Sequence, residues 1–258
     1  MHPIVNIATK AAREAGNIIL QAQERLDDLN IMRKKANDFV TNVDRMAEQA
    51  IIEIINKAYP DHAILAEESG EHAGDQHCWI IDPLDGTTNF IHGLPHFSVS
   101  IAVQYKGKIE HAVVYDPIRQ DLFVATRGRG ARLNERRIRV STKAKFEDSL
   151  LGTGFPYTGS EDLQKYLKTF SALFNEVQGV RRAGSAALDL AYVACGRLDG
   201  FWEFGLHKWD IAAGSLLVRE AGGLVADMQG TEKFWESGNI VAANPKLFKL
   251  MLQKLRMK

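Results

Sequence analysis

Cysteine is scarce: Cys78 and Cys195 are the only two in 258 residues. They share no C-x-x-C or Cys/His spacing, which excludes a disulfide-stapled scaffold and a structural zinc site. Both sit in apolar context ("HCWII", "AYVACG"), so buried, reduced thiols in a cytoplasmic chain are expected. An excess of one charge is also missing, with 32 basic residues against 32 acidic. That balance disfavours direct nucleic-acid binding through positive charge, and it excludes an acidic disordered chain. No apolar run approaches the roughly 18 residues a membrane span needs. "MHPIVNIATKAAREAG" lacks a signal-peptide core. The Walker loop, G-x-G-x-x-G, G-x-S-x-G and H-E-x-x-H are absent, which disfavours P-loop ATPases, dinucleotide oxidoreductases, α/β-hydrolases and zincins. His92 and His96 have no partners at zinc spacing and read as loop histidines.

What is present is ordinary globular usage, 45% hydrophobic and 25% charged. A chain of this length buries roughly three quarters of its unfolded surface, enough for a core without staples. Apolar residues from Ile4 to Ile19 recur at helical spacing and predict a helix over about Pro3–Gln23. A second is predicted from about Val43 to Ala58, stopped by Pro60, with "RKKANDFVTN" between them as a polar, basic loop.

After Pro60 the period shortens. "AILAEE" and "CWIID" read as buried strands, the latter ending at Asp82 because Pro83 cannot donate to a ladder. Ser98–Gln104 and Ile109–Tyr115 read as a hairpin through Lys106-Gly107, followed by Leu122–Thr126 and a turn and strand in "RGRGARLNERRI". Further on, strands are predicted at "SLLGTGF", "GFWEF", "GLVADM" and "NIVAANP". Helices are predicted over Leu163–Phe174, Ala186–Ala194, Ile211–Glu220 and Lys246–Met257. The mixed blocks indicate an α/β (α+β) fold. One domain over 1–258 is expected, with halves of about 1–146 and 147–258.

The chemistry concentrates in "WIIDPLDGTTNF". Asp82 and Asp85 fall at the end of a buried strand, three apart across a turn, where two carboxylates can converge on one hard cation such as Mg²⁺. Gly86, Thr87 and Thr88 follow with backbone N–H groups and hydroxyls suited to phosphate if a helix starts there. The same residues would also serve as turn formers and a helix cap. Glu67 and Glu68 close another buried strand, either on a metal or in an exposed turn. Asp210 stands just before a helical run, as an N-cap, a ligand or both. Glu203, among aromatics, either binds substrate hydroxyls or points outward.

"AEES", "WIIDPLDGTTNF" and "WDIAAG", in that order, resemble the inositol monophosphatase family of Mg²⁺-dependent, lithium-sensitive phosphatases, and the likeness covers essentially the whole chain. The resemblance implies a layered αβαβα sandwich, a homodimer and hydrolysis of a phosphorylated polyol. It implies that Glu67, Asp82, Asp85, Asp210 and the carbonyl of Leu84 hold two or three Mg²⁺, and that Gly86, Thr87 and Thr88 hold the phosphate. Asp44 and Thr87, beside Glu67, would activate the attacking water. Gly184, Ser185, Ala186, Glu203 and Arg181 would line the alcohol side, with Asp210 also reaching the substrate. One of Arg33, Lys34 or Lys35 would supply the family's basic-loop lysine position. A nucleotide, fructose bisphosphate or histidinol phosphate would fit the same chemistry. "NDFVTNVD", "VVYDP" and "GSAALDLAYVACGRLDGFWE" resemble the bacterial SuhB-type branch. That branch implies a further role with RNA polymerase or antitermination factors, for which the basic stretch Arg127–Arg139 is the candidate surface.

Overall fold

Helix α1 spans Pro3–Gln23, as the apolar period predicts. Pro3 occupies the first turn, where no N–H is missed, and the His2 ring accepts the Ile4 N–H at 3.3 Å. The computed structural model describes residues 2–25, 31–35, 38–156 and 162–256. Beyond α1, strands β1 (Ile31–Lys35) and β2 (Asp38–Thr41) pair as an antiparallel ribbon. This corrects the expected loop: a ribbon held by ladder bonds needs none of the apolar alternation by which a strand is read. The side chains of Arg33, Lys34 and Lys35 lie outside the described residues.

Helix α2 (Asn42–Ala58) leads into β3 (Ala63–Ala66), β4 (Gly70–His72), β5 (His77–Asp85) and the short helix α3 (Thr87–Ile91). Then come β6 (Ser98–Tyr105), β7 (Lys108–Asp116), β8 (Asp121–Thr126), β9 (Gly130–Leu133) and β10 (Arg136–Arg137). They form an eight-stranded sheet in the order β10-β9-β8-β7-β6-β5-β3-β4, with β3 parallel to β5 and the other neighbouring pairs antiparallel. Strand β5 does not stop at Asp82. Its ladder with β6 continues from Asp82↔Ser100 to Asp85↔Ser98 through a register shift. Pro83 is absorbed in that irregularity, one of the few places a strand tolerates proline.

The second sheet uses β11 (Leu150–Thr153), β12 (Gly179–Arg181), β13 (Gly200–Glu203), β14 (Leu224–Ala226) and β15 (Ile240–Ala243), in the order β12-β11-β13-β15-β14. Helices α4 (Asp162–Phe174), α5 (Ala186–Ala194), α6 (Lys208–Glu220), α7 (Phe234–Ser237) and α8 (Pro245–Leu255) complete the chain. Helix α6 starts three residues before the predicted Ile211, so Asp210 lies inside its first turn and His207 is the cap.

Three cores give the layers. Helices α1 and α2 pack Val5, Ile19 and Ile51 on Trp79, Ile81 and Ile101 of the large sheet. Its other face, with Ile80 and Val114, meets α5 and α6, which also cover Phe201 and Ala242 of the small sheet. Trp202 and Val241 face the opposite way onto α4 and α8. The result is the expected αβαβα sandwich. Each fully buried Ile or Phe contributes about 2 kcal/mol. Helix α5 is covered on both sides, which is why eight of its nine residues are buried. This sandwiching aims the N-termini of α5 and α6 at the ends of β3 and β5.

Candidate active site

A cavity of about 440 Å³ opens where these ends meet. Glu67, Asp82, Asp85 and Asp210 line it, with Leu84 and Gly86 through Thr88 on one side and Gly184, Ser185, Ala186 and Glu203 on the other. Residues from both expected halves therefore converge there.

Each acid is fixed by its element. Asp82 Oδ1 accepts the Leu84 N–H at 3.0 Å, inside the β5 irregularity. Asp85 Oδ2 takes the Ser185 hydroxyl at 2.6 Å and the Ala187 N–H at 2.7 Å, at the N-terminus of α5. Ser185 thus orients an acid as well as capping its helix. Asp210 Oδ2 accepts the His207 N–H at 2.7 Å. Thr87 gives its hydroxyl proton to the Leu84 carbonyl at 2.9 Å. Gly86 caps α3 at φ 99°, a left-handed conformation that suits glycine, and an added Cβ would come within 3.0 Å of the His96 carbonyl.

Asp44 is buried in the first turn of α2 and stands outside the cavity lining, yet its charge is felt at Asp82. Arg181 does not line the cavity. It is exposed on β12 and its guanidinium turns to the Val180 carbonyl at 3.1 Å. Its neighbour Arg182 lines the cavity instead.

Three residues carry structural roles the sequence reading missed. Glu48, buried on α2, accepts the N–H groups of Glu68 and Ser69 at 2.8 Å each and so clamps the turn that carries Glu67. Asn89 donates to the carbonyls of His96 at 2.7 Å and Ala183 at 2.8 Å, tying α3 to the loop before α5. Asp189 is a buried acid on α5 behind the cavity.

Burial, then the charges of Glu67, Asp85, Asp210 and Asp44, hold Asp82 well above the ordinary carboxylate range. Asp85 is pushed up to about 7 by burial and Asp210, against the donors of Ser185, Ala187 and Ala186. Glu203 and Asp189 are raised chiefly by burial, while Arg182 pulls both down. Among the described residues, Arg182 is the one base lining the cavity. Glu67, Asp82, Asp85 and Asp210 converge on one cavity as an oxygen-rich donor set that fits Mg²⁺.

The whole chain, residues 1–258, matches the profile of the Inositol monophosphatase family. The chain belongs to the inositol monophosphatase family. A curated relative from Pseudomonas aeruginosa, named Nus factor SuhB, is 56% identical, with 99% of this chain and 97% of that protein aligned. The crystal structure of the extragenic suppressor protein suhB from Bartonella henselae is 44% identical with TM-score 0.97, covering 99% of each chain. The inositol monophosphatase structure from Anabaena is 40% identical with TM-score 0.85, covering 98% of this chain and 94% of that one.

Among the described residues, two other groups lie outside this cavity. His62, Asp75 and His77 bring possible ligand atoms within 4.8 Å of one another at the start of β5. His62 Nδ1 accepts the Trp79 indole N–H at 3.0 Å, so its neutral ring carries the proton on Nε2 and offers a cation no lone pair. Cys78 and Cys195 are free but half-buried rather than fully buried, and burial raises both thiols, which makes them poor nucleophiles. No described helix is long and apolar enough to cross a membrane.

Proposed function

We propose that the protein is a Mg²⁺-dependent phosphate monoester hydrolase acting on phosphorylated polyols, foremost myo-inositol 1-phosphate. The observation that carries this reading is the set of mutually repelling acids beside the turn at Gly86–Thr88. Glu67, Asp82, Asp85, Asp210 and the Leu84 carbonyl would hold the ions, which would supply positive charge for the phosphate and leaving oxygens and acidify a water.

The backbone N–H groups of Gly86, Thr87 and Thr88 bind the phosphate. Thr87 Oγ1 has given its one proton to Leu84, so toward a water it only accepts, and it orients that water's hydrogen. Asp44 is the buried acceptor assigned to the proton the water loses. Glu203 lies against Gly154, where any Cβ would overlap its carboxylate, and there it accepts hydrogen bonds from polyol hydroxyls. Uncatalysed monoester hydrolysis is among the slowest known reactions, so fixed charges of this kind have a large barrier to lower.

A phosphatase panel tests the reading. Phosphate release from myo-inositol 1-phosphate is expected to need Mg²⁺, to exceed release from glycerol 2-phosphate, fructose 1,6-bisphosphate and adenosine 3′,5′-bisphosphate, and to be inhibited by lithium but not sodium. Equal release with and without Mg²⁺ would refute it.

A second role, as a protein partner in transcription, is supported by the name Nus factor SuhB on relatives that align with 99% of the chain. Arg129, Arg132, Arg136, Arg137 and Arg139 are exposed on or beside β9 and β10 at the edge of the large sheet, away from the cavity. An Asp82→Asn/Asp85→Asn double variant is expected to lose phosphatase activity but retain any partner in pull-downs. Charge reversal at Arg136 and Arg137 is expected to do the opposite. Loss of the partner in the folded double variant would merge the two surfaces into one.

A further inference from the structure

We infer that Arg182 is a specificity-determining residue, which donates to a hydroxyl of the polyol while Glu203 accepts from the neighbouring one. The inference rests on the polyol phosphatase reading and names a residue within it.

Two consecutive residues back the pair. The Glu203 carboxylate occupies the space a Cβ on Gly154 would fill, and the Arg182 guanidinium lies 5.3 Å from the ring centroid of Phe155. An acceptor and a donor thus pack against one two-residue segment, and both line the cavity. Their charges act on each other, since Arg182 lowers the pKa of Glu203. A vicinal diol presents the matching pattern, one hydroxyl giving its proton to the carboxylate and the next oxygen accepting from the guanidinium.

Arg182 is also available. Among the described residues it makes no hydrogen bond or ion pair, and its guanidinium sits over the Phe155 ring. Its position depends on Gly184, where a Cβ would stand 2.7 Å from Arg182 Nη1 and where φ is 95°. Glycine therefore allows the guanidinium to fold over the backbone beside the cavity. Phe155, 54% exposed and itself on the cavity lining, holds the guanidinium over its ring face by a cation–π contact. Arg182 touches neither the phosphate turn nor the four cation-facing acids through any hydrogen bond, so its contribution falls on binding of the alcohol.

The experiment compares Arg182→Ala and Arg182→Lys with the parent protein on myo-inositol 1-phosphate and on p-nitrophenyl phosphate, whose alcohol has no further hydroxyl. For the inositol ester, Arg182→Ala is expected to raise KM roughly 10-fold to 100-fold with kcat within about 3-fold. For p-nitrophenyl phosphate both constants are expected to stay within about 3-fold, and Arg182→Lys should fall between parent and alanine on the inositol ester. Equal changes on the two esters, a change confined to kcat, or no change at all would overturn the assignment of Arg182 while leaving the phosphatase reading intact. If the parent hydrolyses neither ester in Mg²⁺, the phosphatase reading itself falls, and this assignment with it.

Discussion

Asp85→Asn is expected to lower kcat by about 1,000-fold or more while the protein remains folded. The asparagine carbonyl oxygen can replace Oδ2 and keep the donors of Ser185 and Ala187, at 2.6 and 2.7 Å in the parent. The amide nitrogen is then left toward the cavity, where a donor opposes a cation. Stability should move the other way. Burial and Asp210 raise Asp85 from the ordinary 3.8 to about 7, so the folded, Mg²⁺-free protein binds a proton that the unfolded chain has released. The stability linked to that proton is complete below pH 3.8 and is lost as pH rises through about 7. Without Mg²⁺ at pH 8, Asp85→Asn should therefore melt above the parent, and the gap should close toward pH 4. Melting curves at the two pH values and turnover at saturating Mg²⁺ check both parts. Full activity in the folded variant would remove Asp85 from the proposed ion site.

Glu48→Gln should strike from outside the cavity. Both Glu48 oxygens accept N–H groups, from Glu68 and Ser69, and the site is buried. Glutamine keeps the shape but sets an NH₂ against one of those N–H groups. A buried mismatch of this kind costs about 1–3 kcal/mol, a fall in Tm of roughly 2–10 °C for a chain of this size. The turn that presents Glu67 should relax with it. Supports of this type govern metal affinity by about 10-fold to 100-fold, so the Mg²⁺ concentration for half-maximal activity should rise by that factor. Activity at saturating Mg²⁺ should fall only a few-fold. A Mg²⁺ titration of turnover decides the matter, and an unchanged midpoint would mean that the turn holds without its clamp.

The sequence was most legible where local signals were strong. Helix α1 has a long apolar period with proline at its start, and α5 is framed by Ser185 and Gly196, so both match their predicted bounds. Legibility failed where partners were distant or elements were short. Pro83 locally argues against a strand, but β6 continues to pair as far as Asp85. Strands β4 and β12, three residues each, are too short to show a period. Without β12, the resemblance pointed to Arg181, and its neighbour Arg182 was missed.

The same division holds for the site. Asp82 and Asp85 stood out because carboxylates interrupt an apolar run. Glu48 did not, because a single glutamate in an amphipathic helix looks solvated, and its partners lie 20 and 21 residues away. Asn89 and Ala183 are 94 residues apart, beyond any local pattern.

That bridge has a mechanical consequence. Asn89 belongs to the helix that follows the phosphate turn, and it is bonded to the loop leading into Gly184 and Ser185. The two ends of the cavity are therefore joined directly by a side-chain hydrogen bond rather than only through the distant core. Such a tie works as a gauge. On the proposed phosphatase reading, an ester would be selected by whether the span from phosphorus to its far hydroxyls matches the interval between the phosphate turn and the loop before α5.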